Sequence, residues 1–188
     1  MDLAFEHFRK IISLNEEEKG TFQDLVEIVS YPKKEMVLTK GQVCRYEYFV
    51  LSGCLRTFYF DENFHEHTTM FAPEGWWTGN LKSFVRELPS DYFVESVEAS
   101  TLLRLNKQAM EKLFSQVPKF ERYFRILLQN RLLATQERLN NHLSSPAKER
   151  YHQFLSAYPD LMHRVPLKHI ASYLGITPTY LSRLRARR

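Results

Sequence analysis

Six cationic side chains follow Asp160 with no acidic residue among them: Arg164, Lys168, Arg183, Arg185, Arg187 and Arg188. Between them runs Val165 to Ala186, VPLKHIASYLGITPTYLSRLRA, in which Thr177, Thr179, Tyr180 and Ser182 supply hydroxyls beside the arginines. Arginine can donate two parallel hydrogen bonds to a guanine edge, hydroxyls reach phosphates or bases, and a one-signed surface suits a polyanion. The spacing predicts how these groups are held. Ile170, Leu174, Leu181 and Leu184 fall on the inner faces of two short helices, and Ala171 is small where the helices cross. Gly175 stands where the backbone must turn at positive φ, Thr177 is placed to cap the second helix, and Pro178 takes its first position, where a missing N–H costs nothing. The pattern is that of a helix-turn-helix with Thr179, Tyr180, Ser182 and Arg183 exposed near the N-terminal half of its second helix, the end that meets base edges. A helical hairpin that only packs is the competing reading, and it leaves the one-signed charge unexplained.

Other groups with chemistry are sparser. His65 and His67 stand at i, i+2 with Glu62, Glu66 and Glu74 nearby. Two imidazoles on one strand face can share a metal, as on a cupin roll, but the Glu is badly spaced and no third His follows before the helical region, so a solvated strand face accounts for them better. Cys44 and Cys54 are too few for a disulfide scaffold or a four-thiolate cluster, and burial as small apolar side chains is commoner than a redox pair. Adjacent Trp76 and Trp77 must point to opposite faces of a strand, one of them inward; a ligand platform is the alternative. Neither a phosphate-binding glycine loop nor a nucleophile-base arrangement occurs, which argues against an enzyme. No cofactor is expected.

The rest of the chain has to carry and position these groups. Its 188 residues suffice for a medium domain and a small one, and 44% hydrophobic residues can form a core. The net charge is only +4 although the pI is near 9.0, so the basic excess is localised. With no apolar h-region at the N-terminus and no long apolar run, the expectation is a cytoplasmic protein without a membrane partner. Residues 2–30 read as two helices, the second capped by Asn15 and stopped at Tyr31-Pro32. From about Lys34 to Leu105 the period is two, with strands at 46–51, 55–60, 65–71, 92–97 and 102–105 and turns at Ser52-Gly53 and Asp61-Glu62-Asn63. Short strands without intervening helices predict an antiparallel barrel or roll, hence an α+β chain. After a helix capped by Asn106, Pro118 opens a segment of some 24 residues to about Leu143, roughly 36 Å of helix. Phe120, Phe124, Leu128, Leu132, Leu139 and Leu143 form its stripe, read as a dimer seam because it is longer than a small core needs. Ser145, as cap before Pro146, marks the next boundary. The expected domains are 1–117 (β-roll), 118–144 (dimerisation helix) and 145–188 (helix-turn-helix).

This layout resembles the family named for the cyclic-AMP receptor protein and the fumarate-nitrate reduction regulator, Crp/Fnr, over nearly the whole chain. The carriers of the resemblance are Tyr48-Phe49-Val50-Leu51-Ser52-Gly53, Leu174-Gly175-Ile176-Thr177 and Leu181-Ser182-Arg183-Leu184. It implies a bacterial, homodimeric transcriptional regulator that reads a palindromic operator, with RNA polymerase as a further partner and a small-molecule effector in the roll. Cyclic-nucleotide binders of the family set a Gly-Glu-Leu segment against the ribose and an Arg-Ser or Arg-Thr pair against the phosphate. Here the matching positions are Gly79-Asn80-Leu81 and Ser90-Asp91. An aspartate where the phosphate arginine should be repels the anion, and Arg86 replaces it only if the loop shifts, so the roll is not expected to bind cyclic AMP. Thr179 stands where many members carry a Glu, which puts their usual half-site in doubt. Arg183 remains the candidate for guanine, Ser182 for phosphate or a base edge, and Arg185, Arg187 and Arg188 for the backbone.

Overall fold

The computed structural model describes residues 1–186. In chain order its elements are α1 (Asp2–Arg9), α2 (Glu16–Leu25), β1 (Glu27–Tyr31), β2 (Met36–Leu38), β3 (Tyr46–Ser52), β4 (Leu55–Phe60), β5 (Glu66–Ala72), β6 (Trp77–Thr78), α3 (Leu81–Arg86), β7 (Phe93–Ser96), β8 (Ser100–Asn106), α4 (Lys107–Gln116), α5 (Lys119–Ser144), α6 (Ala147–Ala157), α7 (Leu161–Arg164), α8 (Leu167–Leu174) and α9 (Pro178–Ala186). Two four-stranded sheets, ordered β1-β8-β3-β6 and β2-β7-β4-β5, make the expected α+β roll. No helix among the described residues is long and apolar enough to cross a membrane.

The turn between β3 and β4 carries the chain from one sheet to the other. Gly53 holds φ +90° there, and a Cβ on it would fall 2.6 Å from the Ala99 carbonyl oxygen and still closer to Ser100 Oγ, so only glycine fits. Contacts divide the chain into two compact units: Met1–Thr57 with Phe71–Gln129, and Phe58–Met70 with Asn130 onward.

In the first unit, the α1 stripe docks against β3 and β8 as well as α4 and the start of α5. Phe8, Phe22, Phe49, Leu103, Leu105, Leu113, Phe120 and Tyr123 are wholly buried in one cluster. Edge-to-face contacts join Phe8 to Phe22 (4.9 Å) and to Tyr123 (4.9 Å), and Phe22 stacks on Phe120 at 5.4 Å. Each such ring contributes about 1.5–3 kcal/mol on burial.

Three expectations need correction here. Phe120 and Phe124, expected in the dimer seam, both belong to this cluster: the first two turns of α5 are the lid of the unit's own core. Residues 27–31, expected as the end of the second helix, form β1. They add to the edge of β8, where Glu27 lies opposite Arg104 and accepts from its Nη2 at 2.5 Å, a cross-strand pair that a helix would forgo. The strand region also contains a helix, α3, capped by Asn80 and closed by Glu87 at φ 55°. Its six residues are too few for a 3.6 period to show.

Trp77 is the inward member of its pair and Trp76 the exposed one. Indole Nε1–H of Trp77 donates to the Tyr123 hydroxyl (2.9 Å), which lies 2.8 Å from His7 Nδ1. An indole can only donate, so the tyrosine proton is free for His7 Nδ1, and this arrangement holds while the imidazole is neutral. Burial, and secondarily the charge of Lys10, lowers the His7 pKa below 6.5. Since the folded state resists protonation, the associated stability is present above pH 6.5 and is lost as pH falls through the lowered folded value. The melting temperature is therefore expected to drop between pH 7.5 and pH 5, and His7→Asn should flatten that dependence; an unchanged slope in the variant would contradict the assignment.

Candidate nucleic-acid interface

The second unit builds the helix-turn-helix on an aromatic base. Tyr151, Phe154, Tyr158, Leu161 and Val165 are buried with Ile170, Ala171, Leu174 and Leu181, and Tyr173 packs on Phe154 (5.6 Å) and Tyr158 (6.0 Å). The cap of α6 is Pro146 rather than Ser145, one residue later than expected.

Helix α8 ends as its sequence requires. Gly175 adopts φ 66°, ψ 38°; its N–H donates to Ser172 O (3.2 Å), and the Ile176 N–H donates to Ala171 O (3.0 Å). This pair of bonds satisfies the last carbonyls of the helix and reverses the chain. Thr177 Oγ1 then accepts from the Tyr180 N–H (3.2 Å) and Pro178 opens α9. Arg150 closes the turn from outside, donating from Nε to Leu174 O (3.2 Å) and from Nη1 to Ser145 O (2.7 Å). His142 on α5 approaches the open side of Gly175, where a Cβ would meet its ring at 3.6 Å.

Leu181 is the buried residue of α9, and Leu184 is half-buried. Thr177, Thr179, Tyr180, Ser182, Arg183 and Arg185 are all exposed, as is Lys168 on the first turn of α8. The described basic and hydroxylic candidates thus form an unshielded surface around one short helix. Arg187 and Arg188 lie outside the described residues.

The effector segment lies in the first unit. Asn80 Oδ1 accepts from the Ser83 N–H (3.0 Å), and Asn80 Nδ2 donates to Ser90 Oγ (2.8 Å), which in turn donates to Tyr92 O (2.9 Å). Gly79 lets the backbone approach Glu47, since a Cβ there would lie 3.0 Å from its carboxylate. Asp91 is exposed and pairs with Lys82 at 2.9 Å; this hydrogen bond and the lysine charge hold its carboxyl below the usual range. Leu81 and Arg86 are exposed. The five expected residues are neighbours, and their polar groups are engaged with the protein itself.

His65 and His67 do not share a strand face, because β5 starts at Glu66. Both instead meet one carboxylate oxygen, Asp61 Oδ2, at 3.4 and 2.9 Å. The bond from His67, then the backbone N–H of His65, brings the Asp61 pKa down to about 2. Among the described residues no group of three His, Cys, Asp or Glu is arranged to hold a metal ion. Cys44 and Cys54 are buried as free thiols.

Sequence reasoning missed the polar residues that tie the hairpin β4–β5 to the helices of this unit, namely Glu66, Arg138, His169 and Ser172. Their one signal is that His169 and Ser172 sit in an apolar helix at i, i+3. The partners are about 70 to 106 positions away.

Residues 28–117, from β1 to the end of α4, match the family model of the cyclic nucleotide-binding domain. The match covers just under half of the chain. Most of the chain is also similar in fold to solved structures. FixK2 from Bradyrhizobium japonicum superposes with TM-score 0.75 at 18% identity, over 86% of this chain and 83% of that one. The c-di-GMP-responsive global regulator CLP of Xanthomonas campestris gives 0.73 at 19% identity, over 92% and 91%. A Crp/Fnr-family protein from Eubacterium rectale gives 0.70 at 16% identity, over 93% and 83%. No curated protein sequence matches the chain significantly. The chain shares the fold of these solved structures.

Proposed function

We propose that this protein is a DNA-binding transcriptional regulator of Crp/Fnr type, acting in the cytoplasm as a homodimer on a palindromic operator. The observation that carries the reading is α9: a capped, correctly turned helix that buries Leu181 and turns Thr179, Tyr180, Ser182, Arg183 and Arg185 to solvent. The domains are the roll (1–117), the dimerisation helix (118–144) and the DNA-binding domain (145–188). The seam is the solvent-facing part of α5, where Leu128, Leu132 and Leu139 are 41%, 59% and 58% exposed. A helix with bare leucines at this spacing needs a second helix to cover them. Two recognition helices about 34 Å apart then enter successive major grooves. RNA polymerase and a small-molecule effector are the further partners, and the protein is not an enzyme.

In vitro selection of duplexes with the purified protein tests this reading: enrichment of a palindrome with half-sites one helical turn apart is expected, and enrichment of no sequence overturns it. Within a selected site, Arg183→Ala should cost about 1–3 kcal/mol and relax specificity at one position. Arg185→Ala should instead weaken selected and random DNA alike and lower the salt slope by about one. Equal losses on both DNAs for the two variants would remove the distinction between base and backbone contact.

The effector is not cyclic AMP in this reading, because Asp91 occupies the position of a phosphate arginine and Asn80 is bound to Ser90. Calorimetric titration is expected to show no binding; micromolar affinity would reverse this point.

A further inference from the structure

Strand β5 is the edge of its sheet, so the backbone groups on its outer side have no strand partner. A helix supplies one. Within the second unit the Thr68 N–H donates to Ser172 Oγ (2.8 Å), and the same hydroxyl donates to Glu66 O (2.6 Å). One turn earlier on α8, His169 Nδ1 lies 3.1 Å from Glu66 Oε1. Arg138 of α5 donates to Thr69 O, with its guanidinium 5.0 Å over the Tyr173 ring. A serine inside a helix ordinarily returns its hydroxyl to a carbonyl four residues back. The Ser172 hydroxyl serves β5 on both its donor and acceptor sides, across 104 to 106 positions of sequence.

We propose that Ser172, aided by His169, is a positioning residue for DNA recognition: it docks α8 on the free edge of β5 and thereby sets the direction of α9. The inference rests on the DNA-binding reading above. Its physical basis is stiffness. The Gly175 turn bonds Gly175 and Ile176 back to α8 and leaves only Thr177 before α9, and the ladder-like bonds of Ser172 to Glu66 and Thr68 fix where α8 sits on the hairpin. A dimer that reads two half-sites at a set separation depends on that direction in both protomers.

The test is Ser172→Ala in the full chain. It leaves the buried Thr68 N–H without its acceptor, so exchange of that amide should accelerate about tenfold or more. Affinity for the selected palindrome relative to random DNA should fall about tenfold while the salt slope is unchanged, because phosphate contacts are kept. Ser172→Thr retains the hydroxyl and should restore the ratio. Glu66→Ala, on the hairpin surface, removes the partner of His169 and should shift the ratio the same way by less, which keeps the test open if the alanine variant folds poorly. Faster Thr68 exchange with an unchanged DNA ratio overturns the positioning role, and unchanged exchange overturns the docking itself. A wild-type protein that prefers no duplex defeats the DNA-binding reading instead, while the exchange measurement still decides the docking.

Discussion

Glutamate at both Leu132 and Leu139 is expected to yield a folded monomer whose affinity for a palindromic duplex is about 10²–10⁴-fold lower than that of the wild type. Both leucines are more than half exposed within the protomer, so a carboxylate there disturbs no internal packing. In the proposed dimer they lie seven residues apart on facing helices. Four glutamates would then be drawn into one desolvated seam, at a cost no surface charge compensates. The second half-site contact is thereby lost as an intramolecular event, which accounts for the size of the effect. Light scattering reads the mass and fluorescence anisotropy the affinity. A variant that stays dimeric, or a monomer that keeps wild-type affinity, would remove α5 from the assembly.

The largest effect on stability is expected at Arg56. Its guanidinium is 4% exposed on β4 and donates from Nε to Glu95 Oε2 on β7 at 2.6 Å. Arg56→Ala leaves the Glu95 carboxylate, itself 13% exposed, without its counter-charge, and should destabilise the fold by about 3–5 kcal/mol. Replacing both residues together, Arg56→Met with Glu95→Leu, removes both desolvation penalties and should recover most of that loss. Urea unfolding of the single and double variants measures the difference. A single variant within about 0.5 kcal/mol of wild type, the range of ordinary surface substitutions, would show that the pair is not held out of water.

The two predictions differ in how legible their residues were. Leucines at 128, 132 and 139 can be read as a stripe, and so can Phe120 and Phe124; a periodic pattern says which residues share a face and leaves open what covers it. The core of the first unit covers the two phenylalanines, while the leucines remain bare. Arg56 carried no signal at all. An arginine in a strand reads as a solvated side chain until a carboxylate 39 positions later is folded against it. Likewise the histidine pair reads in the sequence as a solvated strand face, because Asp61 carries only a turn signal there. Once β4 and β5 are formed, that carboxylate lies against both rings.

What the sequence by itself determined is the local geometry of the C-terminal helix-turn-helix and the class of the roll. A glycine at positive φ, a threonine cap, a proline at the first helical position and four apolar side chains at helical spacing are short-range steric requirements. Each acts within a few residues of where it is written, so the turn between α8 and α9 forms as its residues dictate. Alternation over some seventy residues likewise sets strands rather than helices. The tertiary structure alone decided which parts of α5 are core and which stay exposed, that residues 27–31 pair with β8 instead of continuing α2, and that Ser172 bonds to the edge of β5. Those outcomes depend on pairs separated by tens to more than a hundred positions. The energy of such pairs comes from burial and from the direction of a hydrogen bond, neither of which exists until the chain has brought the partners together.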